Sequence, residues 1–467
     1  MLRTALAGLA LAAFTLSAQA QTIRIAIGTQ DTTINCAAGG LMIRELGLLQ
    51  KYLPHSGQYQ NADYDIQWKN FTSGAPLTNE MVAGKLGFGA MADFPGALNG
   101  VAHEAGGRHS LFINVLSGSV QGSGNGIVVP KDSPAQSLAD LKGQVISVPF
   151  ASTAHGMLLR AIAAQGWDPQ TDVTIIAQPP EVAGSALQAN KVAAHADFVP
   201  FAELFESKGF ARKIYDGSQA KAPTFHGALV EEDFARQYPE IVVAYLRATI
   251  EANQLLAAEP EKYSELIEKV TGIDASVAYL YHGPLGLQTR DLTWKPEYRQ
   301  AVSTAIDTLK LLKKADRGLN TETFIDDRYI RQAFKAQGLD YNAALANYAA
   351  QPLSGKDAGT GKPITDVRHL AQVWVQGEPL VRSYSSAQQA LAEVARLKAA
   401  GKGIRAVYTQ AEGSGIKLLA QQAWFVQGQA GALTAFLLKA DATAYAQAHG
   451  GEVKDYAGVT ATAVAVR

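Results

Sequence analysis

The chain has 467 residues, a length that accommodates two to three domains of ordinary size. Apolar residues make up 47% and charged residues 18%, so sizeable cores can form by packing alone. The net charge of −1 argues against a nucleic-acid partner, because a phosphate backbone selects for a basic face. The single cysteine, Cys36, rules out an intramolecular disulfide.

The first segment, MLRTALAGLALAAFTLSAQA, has the make-up of an export signal. Arg3 supplies the positive end, Ala5 to Leu16 form an uncharged apolar run, and Ala18-Gln19-Ala20 is a small-x-small cleavage signature. The run is shorter than the ~20 apolar residues a membrane span needs. Cleavage after Ala20 is expected, with a periplasmic mature chain and no lipid anchor.

Ile23 to Ile27 predict a strand that ends in the polar loop Gly28 to Gly40. Leu41, Ile43, Leu46, Leu48 and Leu49 then mark an amphipathic helix. A second strand, Asp65 to Trp68, leads into the loop Asn70 to Pro76, a helix ending at Gly84, and a strand at Gly87 to Met91. Strand, helix, strand in this rhythm means parallel βαβ units. It continues with strands at 126–130, 145–148, 173–177 and 194–199, and helices at 137–142, 153–165 and 184–190. From about Phe234 the chain turns helix-rich, with amphipathic runs at 241–258, 262–270, 297–314 and 327–337.

Gln351 to Pro363 is Gly, Pro, Ser and charge without apolar periodicity, and predicts a linker. Beyond it, strands at 370–375, 404–409, 423–426 and 433–438, with helices at 387–400 and 440–449, predict a small α+β domain with its own core.

No GxSxG elbow, P-loop or HExxH is present, and the nine histidines are scattered. No catalytic residue, metal site or cofactor is assigned. Gly122 to Gly126 precedes a strand and does not open a helix, so it reads as a crossing between lobes, not a dinucleotide loop. Ligands of open α/β sheets sit outside the carboxyl ends of the strands. That directs attention to Thr29, Gln30, Asp31 and Thr32, to Thr72 and Ser73, to Asp93, and to Ser152, Thr153 and His155. Ser152 and Thr153 open a helix, whose first N–H groups lack intrahelical acceptors. They therefore either cap the helix or, with its dipole, help bind an anion. Asp93 binds a cationic group or forms a turn. His155 and His226 face a ligand or serve the structure. Cys36 lines the first loop or is a buried apolar residue. Phe94, Phe198 and Phe201 wall a pocket or belong to the core.

From Thr22 to about Tyr348 the chain resembles the solute-binding proteins of the nitrate, taurine and aliphatic sulfonate family, which includes thiamine-pyrimidine receptors. The resemblance rests on Val82 to Gly89 with Asp93-Phe94-Pro95, and on Gly126 to Ser133 with Leu138 to Gly143. It rests further on Ser152 to His155 with Leu158-Leu159-Arg160, and on Ala186 to Asp197 with Pro200-Phe201. It implies a two-lobed α/β periplasmic-binding-protein fold, type II-like, that closes on its ligand like a hinge. Lobe one is expected at 22–116 and 224–350, lobe two at 118–223, and the linker at 351–366. Asp197 joins the candidate ligand residues through this resemblance. The implied function is that of a monomeric receptor of an ABC importer, handing a small polar or anionic solute to an inner-membrane permease. The first loop, with Asp31, Cys36 and Gly39-Gly40, departs from a standard sulfonate-binding loop and leaves an amine, a heteroaromatic or a metal-bearing solute open.

The segment 367–467 is similar to the copper-binding accessory lipoproteins of nitrous oxide reductase (NosL), through Gln372 to Val375, Ala435-Phe436 and Ala448 to Val453. The Cys- and Met-containing copper motif of that family is missing, and Tyr384-Ser385-Ser386-Ala387 stands in its place. A NosL-like fold without that site is expected, with His369 and His449 as remaining candidate ligands. Two alternatives follow from these resemblances. One is a copper-handling protein using Cys36; the other is a pyrimidine-synthase-type enzyme using Cys36 and His155.

Overall fold

In the computed structural model, which describes residues 21–311, 318–349, 353 and 355–465, the strand–helix rhythm folds into two separate sheets. The expected export signal lies outside the described residues. Strands β1 (Gln21–Thr29), β2 (Ala62–Asn70) and β3 (Phe88–Ala92) run parallel. Helix α1 (Gly74–Val82) carries the chain from β2 to β3, as a parallel connection requires. Helix α2 (Asp93–Ala105) follows β3 directly and leads to β4 (Ser110–Ser119).

The chain then crosses to the second lobe. There β5 (Gly126–Pro130), β6 (Val145–Val148), α3 (Thr153–Ala164), β7 (Thr174–Ala177), β8 (Ala194–Asp197), α4 (Phe201–Ser207) and β9 (Ala211–Asp216) follow in order. A second crossing returns it as β10 (Thr224–Glu231), which slots between β3 and β4. The two sheets have matching orders, β2-β1-β3-β10-β4 and β7-β6-β8-β5-β9. Each has a parallel trio and one antiparallel strand beside it, β10 in the first and β5 in the second.

Strands β4, β9 and β10 were not expected. Both β4 and β10 are buried along their whole length, so neither shows the alternation that marks a half-buried strand. Asp93, expected to bind a cationic group or form a turn, instead opens α2. Pro95 is no obstacle there, because a first-turn residue has no intrahelical N–H bond to lose.

The two crossings touch. Gly122 (φ +94°) and Gly124 (φ +105°) adopt backbone conformations that side chains disfavour. A Cβ on Gly122 would lie 2.2 Å from the carbonyl oxygen of Ala222, and one on Gly217 would lie 2.3 Å from that of Gly122. Beside this contact sits a buried ionic cluster. Lys213 pairs with Glu203, lies 3.6 Å from Asp216, and donates its backbone N–H to Glu206. Tyr281, on helix α6 (Ala275–His282), donates its hydroxyl to Glu203 and lies 3.3 Å from the carbonyl oxygen of Gly124. Helix α5 (Pro239–Ala258) covers the first sheet.

The C-terminal unit has two small sheets. One is antiparallel, ordered β12-β11-β13-β14, from β11 (Ala371–Val375), β12 (Arg382–Tyr384), β13 (Ile404–Gln410) and β14 (Lys417–Leu419). The other, ordered β16-β15-β17, uses β15 (Trp424–Gln427), β16 (Leu433–Phe436) and β17 (Glu452–Lys454). Part of the expected linker is folded against it: buried Asp357 accepts backbone N–H bonds from Gly359, Thr360 and Ser385.

The unit docks on α6. Tyr279 packs between Trp374 and Tyr408, ring centroids 5.4 and 5.3 Å away. The Tyr408 hydroxyl donates to the Ser276 carbonyl at 2.9 Å. Buried Lys417 lies 4.2 Å from the Tyr279 ring and donates to the Pro284 carbonyl. The unit also reaches the second lobe, where Gln422 donates to the Glu206 carbonyl at 2.8 Å.

Burial pulls the Lys417 ammonium down from 10.5 to about 7. Between those values the unfolded chain binds more protons than the folded one, so stability rises with pH across that window. Lys417→Met is expected to flatten that rise, read as the difference in urea midpoint between wild type and variant from about pH 7 to about pH 10.

Candidate functional site

The lobes face each other across a narrow cleft. Gln30 and Thr33, from the loop after β1, form part of the lobe-one wall. Ser73, Gly74 and Ala75, at the start of α1, continue it, with Ala92 and Pro95 at the start of α2 and His226 on β10. Lobe two supplies Pro149 to Thr153, at the start of α3, and Phe198, just after β8. The start of three helices thus reaches one cleft, and no Asp, Glu, Lys or Arg is among the described residues that line it.

That arrangement has a clear electrostatic sense. Helix N-termini carry unsatisfied N–H groups and about half a positive charge each. An anion between them gains from both, without a fixed cation to strip of water. Close approach of α1 and α2 needs Gly74, where a Cβ would lie 2.4 Å from Pro95 Cβ.

The two serines at helix starts differ. Ser152 caps α3: its Oγ accepts from the His155 N–H at 3.2 Å and donates to the Pro149 carbonyl at 2.6 Å. Ser73 occupies the same position on α1 but its side chain makes no cap bond, which leaves its hydroxyl to the cleft.

His226 is the most exposed to consequence of the lining residues. It is 2% accessible, and neither ring nitrogen has a hydrogen-bond partner among the described residues. Burial pushes the imidazole down to about 3, so it is neutral at pH 7. It sits opposite Ala92 of β3, beside a register shift between β10 and β4, the kind of irregularity that re-aims a side chain. The Thr33 hydroxyl, also in the wall, is likewise buried without a partner.

Of the residues singled out from the sequence, Gln30, Ser73, Ser152, Thr153, Phe198 and His226 come together in the cleft wall. Asp31, held by Arg44 at 3.0 Å, stands outside it, as do the following. Thr29 is buried at the end of β1, where its methyl group fills the space beside Gly40. Thr32 is half-buried and Thr72 exposed. Cys36 packs with Ala90 and Leu116, and burial pushes its thiol well above the usual range. Asp93 is a tie between elements: it accepts from the Phe94 and Phe225 backbone N–H groups, the latter next to His226. Burial pushes its carboxyl up to about 6. His155 stacks on Phe150 at 4.7 Å, and Asp197 bonds buried His195 and the Phe198 N–H. The half-exposed Phe150, with Pro149, was not anticipated; apolar residues beside helix starts carry no mark in sequence that separates wall from core.

The NMT1-like family model matches residues 19–271, more than half of the 467 residues. The chain belongs to the NMT1-like family. This NMT1-like protein is 27% identical to the taurine-binding periplasmic protein of Escherichia coli strain K12 over 259 residues, 53% of this chain and 77% of that one. Its fold is like that of the alkanesulfonate-binding protein SsuA from Xanthomonas axonopodis pv. citri bound to MOPS, with a TM-score of 0.54 at 20% identity, covering 66% of this chain and 99% of that chain. The periplasmic aliphatic sulphonate binding protein SsuA from Escherichia coli gives a TM-score of 0.53 at 22% identity, covering 66% and 92%. The fold is the two-lobed periplasmic-binding fold with additional C-terminal sheets.

The serine contrast is directly testable. Ser152→Ala is expected to cost about 1 kcal/mol as a lost cap, visible as a lower melting temperature. Ser73→Ala is expected to leave melting within about 0.5 kcal/mol of wild type while weakening solute binding measured by calorimetry.

Proposed function

We propose that this NMT1-like protein is the exported receptor of an ABC importer and captures a small anionic solute of the sulfonate, taurine or nitrate class. The observation that carries the reading is the meeting of helix starts from both lobes in a cleft lined by uncharged donors. The two-lobed fold, and relatives named as taurine- and sulphonate-binding periplasmic proteins, support it. In this reading the signal is cleaved after Ala20, the mature chain works as a monomer in the periplasm, and the loaded receptor docks on an inner-membrane permease. Lobe one takes 22–116 and 224–350, lobe two 118–223, and the C-terminal unit has a NosL-like fold. Gln30, Thr33, Ser73, Ser152, Thr153 and His226 hold the solute.

The copper-handling alternative gains nothing from the geometry. Cys36 is buried with its thiol kept protonated, and no group of three His, Cys, Asp or Glu side chains placed to hold a metal occurs among the described residues. The enzyme alternative paired Cys36 with His155, yet Cys36 packs in a core cluster and His155 stacks on Phe150.

The test is calorimetric titration of the chain Gln21–Arg467 with taurine, ethanesulfonate and nitrate. Binding of one of them is expected, weakened about tenfold or more in His226→Ala, the worth of one hydrogen bond to a charged group. A bound anion raises the imidazole from its low starting value of about 3, so binding takes up protons and affinity rises as pH falls toward that value. His226→Gln is expected to remove that dependence. Binding of an amine or copper, with none of the three anions bound, would overturn the reading.

A further inference from the structure

A second and larger cavity, about 700 Å³, lies behind the crossings and apart from the interlobe cleft. Its walls come from three parts of the molecule. Ser119 belongs to the first crossing, Asn253 to α5, and Leu287, Leu292 and Arg290 to the segment after α6, while Ile416 comes from the C-terminal unit. That last contribution has no counterpart in a fold without the unit.

Arg290 distinguishes this cavity from an ordinary gap. Its Nη1 donates to the His282 carbonyl, closing the end of α6, while its Nε is buried without a partner among the described residues. No carboxylate lies within ion-pair distance of it among those residues; its neighbour Asp291 is occupied by Lys295 at 2.6 Å. Burial pulls the guanidinium down to about 10. Nearby Asn253 donates to the Arg290 carbonyl and keeps a buried, unpartnered Oδ1. An arginine whose Nε is buried without a partner, and which has no counter-ion among the described residues, is costly unless something else supplies the negative charge. Its Nε and Nη2 edge is the fork that matches a carboxylate or phosphate. Leu287, Leu292 and Ile416 add an apolar surface beside it.

We propose that this second cavity is a binding site for a small organic oxyanion, a carboxylate or phosphate ester with an apolar body, held by Arg290. Occupancy there bears on the hinge. Thr289 exchanges backbone hydrogen bonds with Gly118 at 2.8 and 2.9 Å, and Gln288 donates to the Ser123 carbonyl. The Ser123 hydroxyl donates to the Leu287 carbonyl, and Asn35, on the first ligand loop, donates to Gln288. The segment that carries Arg290 therefore grips both the first crossing and the loop that enters the cleft, and linkage requires any resulting coupling to be reciprocal.

The experiment is calorimetry of the chain Gln21–Arg467 with benzoate, phenyl phosphate and inorganic phosphate, in wild type, Arg290→Gln and His226→Ala. Saturable binding of benzoate or phenyl phosphate is expected in wild type and His226→Ala, weakened about tenfold or more in Arg290→Gln as a charge-assisted contact is lost. Benzoate against phenyl phosphate separates carboxylate from phosphate, and weaker binding of inorganic phosphate is expected because it lacks an apolar body. If circular dichroism shows Arg290→Gln unfolded, Ile416→Trp, which fills the cavity from the C-terminal side, decides in its place with the same expected loss. Absence of binding by all three probes overturns the proposal. So does binding that His226→Ala abolishes, which would place the probe in the cleft, or binding that the deciding variant leaves unchanged.

Discussion

Glu203 is where the second lobe is joined to helix α6 and the first crossing. Its carboxylate pairs with Lys213 inside the second lobe and accepts the hydroxyl of Tyr281 from α6. The same hydroxyl lies against Gly124 in the first crossing. Every member of the contact is buried, so removing one partner would strand a charge in a dry place, among the more damaging changes a protein can suffer. Helix α6 thereby has two occupied faces. Tyr281 looks to the second lobe, and Tyr279 is held between the C-terminal Trp374 and Tyr408.

The cleft depends on that arrangement. Helix starts in different lobes can share one anion only when the lobes stand at a defined angle, and buried contacts around the crossings hold it. The His226 imidazole is neutral and has no hydrogen-bond partner among the described residues, so a ligand acceptor at this point would satisfy a buried donor.

Much of this was legible from residues in order. The parallel trios announced themselves because their connecting helices carry a clear 3.6-residue period, and the polar loops at strand ends led to Gln30, Ser73, Ser152 and Thr153 of the cleft wall. What stayed hidden has a common physical cause. β4 and β10 are covered on both faces, so their apolar and small residues show no alternation. Asp93 looked like a ligand residue because it follows a strand, yet its carboxylate is used up by the Phe94 and Phe225 backbone. Cys36 and Asp197 are the same case, being polar by type but enclosed by packing no local pattern records. The docking of the C-terminal unit was equally silent, since Tyr279 and Trp374 lie far apart in sequence and each reads as an ordinary core aromatic.

The strand order has a mechanical consequence. Each crossing is followed at once by a strand that enters the interior of its new sheet, β5 beside β8 and β9, and β10 between β3 and β4. A strand hydrogen-bonded on both sides resists bending, so neither sheet can absorb a change in the angle between the lobes. Torsion must concentrate in the short backbone stretches from Ser119 to Gly126 and from Asp216 to Thr224. The lobes then swing as two stiff plates on a pair of short axles, with Gly122 pressed against Ala222 as the bearing surface.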